Sequence, residues 1–125
     1  MPVDNNGRTV VLGDDDLDIR NYLETALRCQ GYSVEVAQNG EEVLAHLHGR
    51  QTPVSAVVLD AIMPGGDGSD TLKEIRRFYR DLPVIMISGP ASPLDVMEAR
   101  KNGANDFLAK ANQARRSSQS AENGR

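Results

Sequence analysis

The chain has 125 residues, 39% of them hydrophobic and 26% charged, with a formal net charge of -4. That length holds one domain with a modest core and leaves no room for a second. The acidic balance argues against direct nucleic-acid binding by the domain, no apolar run could span a bilayer, no signal-peptide core is present, and the single cysteine, Cys29, allows no internal disulfide; a cytoplasmic protein fits these bounds.

Thr9-Val10-Val11-Leu12 is a short β-rich run that Gly13 ends, and Asp14-Asp15-Asp16 follows. Ile19, Tyr22, Leu23, Ala26 and Leu27 then recur at helical spacing. They predict a first helix with Asp16 or Asp18 at its start, Gly31 at its end and Cys29 packed along it. Ser33-Val34-Glu35-Val36-Ala37 alternates as a half-buried strand does. Asn39-Gly40 is a hairpin signal, but the residues after it do not alternate. Val43, Leu44 and Leu47 instead predict a second short helix that ends near Gly49, with His46 and His48 at the surface.

A third strand, residues 54–59, runs straight into Asp60. Pro64, Gly65, Gly66 and Gly68 then predict an irregular loop. Leu72, Ile75, Phe78 and Tyr79 mark a third helix, with Arg76, Arg77 and Arg80 on a solvated face. Residues 83–87 form a fourth strand closed by Ser88-Gly89-Pro90. Leu94, Val96, Met97 and Ala99 outline a fourth helix from near Pro93 to Gly103, with Met86 and Met97 expected in packing. Asp106-Phe107-Leu108-Ala109 is the fifth strand, and Lys110 follows it.

Five alternations with short connections predict an α/β fold: a doubly wound, five-stranded parallel sheet with right-handed crossovers and helices on both faces. In such a sheet the carboxyl ends of the strands share one edge, where sites are found. Asp14, Asp15, Asp60, Ser88 and Lys110 all arrive there. Carboxylates about 4 Å apart repel by roughly 4 kcal/mol at an effective dielectric of about 20, so the cluster calls for a cation. Oxygen donors without His or Cys select Mg²⁺. A divalent cation, a lysine and a hydroxyl around one carboxylate suit phosphoryl transfer, with Asp60 as the nucleophile. No Gly-Lys-Ser/Thr follows the glycines, so they read as a turn rather than a P-loop.

Asp14-Asp15, Asp60 with Met63-Pro64 and Gly68 after it, Ser88, and Phe107 three residues before Lys110 resemble the CheY-like receiver domain of bacterial two-component response regulators. The resemblance covers residues 8–110 and implies the flavodoxin-like strand order 2-1-3-4-5. It implies that Asp60 accepts a phosphoryl group from a histidine kinase. Asp15, Asp60 and the backbone carbonyl of Ile62 would bind Mg²⁺ directly, and Asp14 through water. Lys110 would contact the acyl phosphate, Ser88 would move toward it, and Phe107 would turn inward. Those last two movements would switch a surface around the fourth helix and fifth strand. The only chemistry implied is Mg²⁺-dependent self-phosphorylation and slow autodephosphorylation, slowed further by the apolar Ile62 and Pro90 beside the water path. A histidine kinase and an output domain or downstream protein are the implied partners, with no membrane. A receiver-like interaction module that is never phosphorylated is the alternative. A small Mg²⁺-dependent phosphatase is a third reading, disfavoured because Ile62 stands where a second acid would be needed.

The chain departs from that family at Gly13, where an apolar strand residue is usual, so that the first strand is expected to end loosely, and at Ala111, where proline usually follows the lysine. It departs again in residues 111–125, whose only apolar side chains are Ala111, Ala114 and Ala121. No stripe of larger residues exists to build an amphipathic fifth helix, which is therefore expected to be weak, absent or disordered. The expected organisation is an N-terminal extension (1–7), the receiver domain (8–110) and a polar tail or linker (111–125). Both faces of a parallel sheet need cover, so a homodimer through the bare side is also expected.

Overall fold

The computed structural model describes residues 8–50, 53–63, 66–89 and 93–109. Their elements are β1 (Thr9–Gly13), α1 (Leu17–Cys29), β2 (Ser33–Ala37), α2 (Gly40–Leu47), β3 (Ala56–Asp60), β4 (Ile62–Met63), β5 (Gly66–Asp67), α3 (Gly68–Phe78), β6 (Val84–Ser88), α4 (Pro93–Lys101) and β7 (Asp106–Ala109). β1 is buried at every position, as branched aliphatic residues at the centre of a doubly covered sheet should be. It pairs in parallel with β2 and β3, and β3–β6 and β6–β7 extend the sheet in the order β2-β1-β3-β6-β7. Counting the long strands alone, this is the expected order 2-1-3-4-5.

Alternation along the strands divides the apolar residues between two layers. Val11, Val57, Leu59, Val84 and Met86 pack with Val43 and Leu47 of α2, Leu72 and Ile75 of α3, and Ala99 of α4 in the main core. The opposite face is thinner. Val10, Leu12 and Ile87 are buried there, yet α1 has no buried residue and Leu108 on β7 is 52% exposed. The segment expected as a weak fifth helix lies outside the described residues.

Local chemistry sets the helix starts. The Asp16 side chain accepts from the Asp18 and Ile19 amides and caps α1. Asn39 accepts from the Glu42 amide at the start of α2, while Glu42 reaches back to the Gln38 amide. The Asn39-Gly40 pair therefore serves as a cap and not as a hairpin. α1 ends as expected before Gly31, which takes φ 93°.

Several expectations are corrected. Gly13 does not loosen the end of β1: it stays in register with Ala37 and Leu59. The glycine loop is more ordered than a plain turn, because Ile62–Met63 and Gly66–Asp67 pair as a two-rung antiparallel ladder. Arg76 is half-buried rather than solvated; Nε donates to the Gly103 carbonyl, Nη1 to the Tyr79 carbonyl and Nη2 to Asn105 Oδ1, each at 2.9 Å. It ties α3 to the turn before β7. Tyr79 lies one residue past α3, Cys29 is exposed at the end of α1, and Met97 and Phe78 are 65% and 58% exposed instead of packed.

The outer strand β2 is tied to α2 by a charged cluster. Arg50 Nη1 lies 2.6 Å and His46 Nδ1 2.9 Å from Glu35 Oε1, and His46 Nε2 lies 3.1 Å from the Val36 carbonyl. The hydrogen bond from Arg50, followed by the charges of Arg50 and His46, holds the Glu35 carboxyl below its ordinary value of 4.5 despite the opposing cost of burial. A depressed folded pKa stabilises above the ordinary carboxylate range, and that contribution disappears as pH falls through the folded value. Glu35→Gln is accordingly expected to lower stability at neutral pH by less than about 1 kcal/mol, the pair being partly exposed. The urea midpoints of variant and parent should converge as pH drops below the carboxylate range; a gap that stays constant down to acid pH would contradict this.

Candidate functional site: an acidic strand edge

β1 and β3 are neighbours, and their carboxyl ends deliver aspartates side by side. Asp14 follows β1 directly; its amide donates to the Ala37 carbonyl at 3.1 Å and prolongs the ladder by one residue. Its carboxylate is fully buried, and Oδ1 accepts from the Asp16 amide at 2.9 Å. Asp60 is the last residue of β3, 2% exposed and in register with Ile87. Asp15 is exposed on the loop from β1 to α1, one residue before the α1 cap. The ligand oxygens of Asp14, Asp15 and Asp60 all lie within 4.8 Å of one another. Asp16, spent on capping α1, is not one of them.

This donor set fits a hard divalent cation. It offers carboxylate oxygens only, two of them on buried side chains, and lacks the imidazole or thiolate that would favour zinc or copper. The remaining expected residues fall as follows. Ser88 is 8% exposed at the end of β6, one register step beyond the Asp60–Ile87 pair, and so reaches the same edge. Phe107 lies in β7 opposite Met86, half-buried against the main core. Ile62 sits two residues after Asp60, paired with Asp67. Lys110 follows β7 directly but lies outside the described residues, as does Pro90.

Two features escaped sequence reasoning. Arg20 Nη1 donates to the Asp14 carbonyl at 3.4 Å and braces the loop from α1; its place four residues after the cap, Asp16, was the available signal. The Gly68 amide donates to the Ala61 carbonyl at 2.6 Å, and a Cβ at position 68 would collide with the Asp60 carbonyl oxygen. α3 thus begins in direct contact with the backbone that carries Asp60.

Comparison with known proteins agrees with this geometry. A family model described as the response regulator receiver domain matches residues 10–122. The transcriptional regulatory protein CpxR of Klebsiella pneumoniae is 39% identical over 101 residues, covering 81% of this chain and 42% of that protein. BaeR of Escherichia coli O6:H1, also a transcriptional regulatory protein, is 31% identical over 110 residues, covering 88% and 45%. The chain therefore spans less than half the length of these curated relatives. A solved structure of the Vibrio cholerae chemotaxis protein CheY4 superposes with a TM-score of 0.76 at 30% identity, covering 82% of this chain and 86% of that one. No helix among the described residues is long and apolar enough to cross a membrane. Aspartates converging at the carboxyl edge of a 2-1-3-4-5 parallel sheet, together with these matches, place the chain in the family of response regulator receiver domains, the signalling domains of two-component systems.

Proposed function

We propose that this domain switches by accepting a phosphoryl group on Asp60 from a phosphohistidine of a histidine kinase, in the cytoplasm. The observation that carries the reading is the buried position of Asp60 within 4.8 Å of the carboxylates of Asp14 and Asp15. An Asp60 carboxylate oxygen attacks phosphorus, the bond from phosphorus to the donor imidazole breaks, and the imidazole leaves. Asp15, Asp60 and the backbone carbonyl of Ile62 would hold Mg²⁺, with Asp14 acting through water. Bound there, the ion supplies charge neutralisation at the phosphoryl oxygens. Lys110 contacts the same oxygens, Ser88 closes on them, and Phe107 turns inward, which alters the surface around α4 and β7. Ile62 and Pro90, apolar beside the water path, make hydrolysis of the acyl phosphate slow. The domain turns over no substrate of its own. It works as residues 8–110, between an extension (1–7) and a polar tail (111–125) that leads to an output domain or acts beside a downstream protein. Among the described residues, the lack of any buried side chain on α1 and the exposure of Leu108 support self-association as well.

Incubation with Mg²⁺ and a small acyl-phosphate donor is expected to add one phosphoryl group by intact mass, and Asp60→Asn to abolish the gain. Full labelling of the Asn variant would move the acceptor elsewhere, and no labelling of the parent would favour a constitutive interaction module. In a metal titration, Asp15→Ala should weaken Mg²⁺ binding by more than about tenfold, since even outer-shell losses cost that much. Asp16→Ala should change it little, and equal losses would contradict the ligand assignment. Light scattering should show a mass that rises with concentration and falls to the monomer in Leu108→Lys; a parent that stays monomeric throughout would exclude the dimer.

A further inference from the structure

The five-stranded sheet ends at β2 on one side and β7 on the other. An end strand leaves one row of backbone groups with no strand to pair with. On β2 that row is short. The Ser33 amide donates to the Arg8 carbonyl, and the Ala37 carbonyl accepts from the Asp14 amide, so the backbone of Ser33, Glu35 and Ala37 faces β1. Val34 and Val36 alternate with these residues and turn their amides and carbonyls outward.

Both outward carbonyls are covered by side chains. Arg28 Nη2, from the last turn of α1, donates to the Val34 carbonyl at 2.9 Å, while its Nε is held by Glu24 at 3.0 Å. His46 Nε2, from the last turn of α2, lies 3.1 Å from the Val36 carbonyl, while its Nδ1 is held by Glu35 at 2.9 Å. Acceptors face both ring nitrogens, so the imidazolium bonds to each of them; in either neutral form the ring still stands in front of the Val36 carbonyl. Such cover is not automatic. On β7 the outward carbonyls are those of Asp106 and Leu108, and they accept no side-chain bond among the described residues.

What such cover excludes is a further strand, which would draw its hydrogen bonds from the outward amides and carbonyls. The β2 edge fits a second copy of itself. About a twofold axis, Val34 of one copy would exchange both of its bonds with Val36 of the second copy. With the carbonyls occupied, the incoming amides would be desolvated without an acceptor. The same axis would set the two Glu35 carboxylates directly opposite one another, where like charges repel.

We propose that Arg28 and His46 guard the outer edge of β2 against strand addition by a second copy of this chain, with the charge of Glu35 between them as a further barrier. The guard shares no residue with the acidic edge, so it stands or falls independently of the phospho-acceptor reading. The test is made in a chain carrying Leu108→Lys, which removes association through the other side of the molecule. Two variants are compared there by sedimentation: Glu35→Gln alone, which keeps both carbonyls covered, and Glu35→Gln with Arg28→Ala and His46→Ala, which bares them. Alanine is the best helix former and neither guard side chain is buried, so the fold is retained. The first variant should stay monomeric. The second should approach twice the monomer mass as its concentration rises into the millimolar range. Amide exchange at Val34 and Val36 should then slow about tenfold, the effect of roughly one hydrogen bond on each. In the dilute parent the same two amides should exchange faster than those of Glu35 and Ala37. A triple variant that remains monomeric would overturn the proposal. So would equal association of Glu35→Gln alone, association that leaves the Val34 and Val36 amides fast, or a parent in which those amides are as protected as their neighbours.

Discussion

Asp14 and Asp60 end strands that are hydrogen-bonded to one another, and a parallel pair of strands cannot slide to separate its own end residues. The two carboxylates are buried side by side because β1 and β3 are neighbours pointing the same way. That imposed proximity of like charges is the constraint on which the rest of the structure depends. It makes the edge a place where added positive charge is stabilising, and it leaves little freedom in the surrounding loops. Asp16 is drawn into capping, Arg20 braces the Asp14 carbonyl, and the ladder of β4 and β5 holds the chain just after Asp60.

The two layers over the sheet are unequal. On one side α2, α3 and α4 enclose a core in which Leu59, Leu72, Ile75 and Met86 are almost completely removed from water. On the other, α1 leaves every side chain at least partly accessible. Stability is therefore concentrated on the side that supports Asp60 from behind. At about 25 cal/mol per Å² of apolar surface, the thinner side is where added cover would stabilise most. Because the chain spans less than half of its curated relatives, what lies beside α1 in a longer protein is part of the same physical question.

Much of this was legible in the amino-acid sequence. Valine and leucine runs that lead into aspartates are a strong signal, since few other arrangements put a carboxylate at the end of a largely buried aliphatic strand. Spacing alone put Asp14, Asp15, Asp60 and Ser88 on one edge. What could not be read depends on tertiary partners. Arg76 looks like any helix-surface arginine, and only the approach of the turn carrying Gly103 and Asn105 gives its guanidinium three acceptors. Gly13 suggested a frayed strand, but pairing on both sides overrides a weak local preference. Cys29, Phe78 and Met97 are apolar residues at helical spacing that nonetheless face outward, because helical periodicity gives a face without saying how wide the neighbouring layer is.

The contact of Gly68 with Asp60 limits how this chain can change over generations. Every missense change at a glycine codon adds a Cβ, and at position 68 that atom would strike the main chain of the very residue whose carboxylate matters. Backbone cannot yield as a flexible side chain does, so alanine and serine, the smallest alternatives, meet the same obstacle. Most positions around a reactive group are restrained by what their side chains do. Position 68 is restrained by having none.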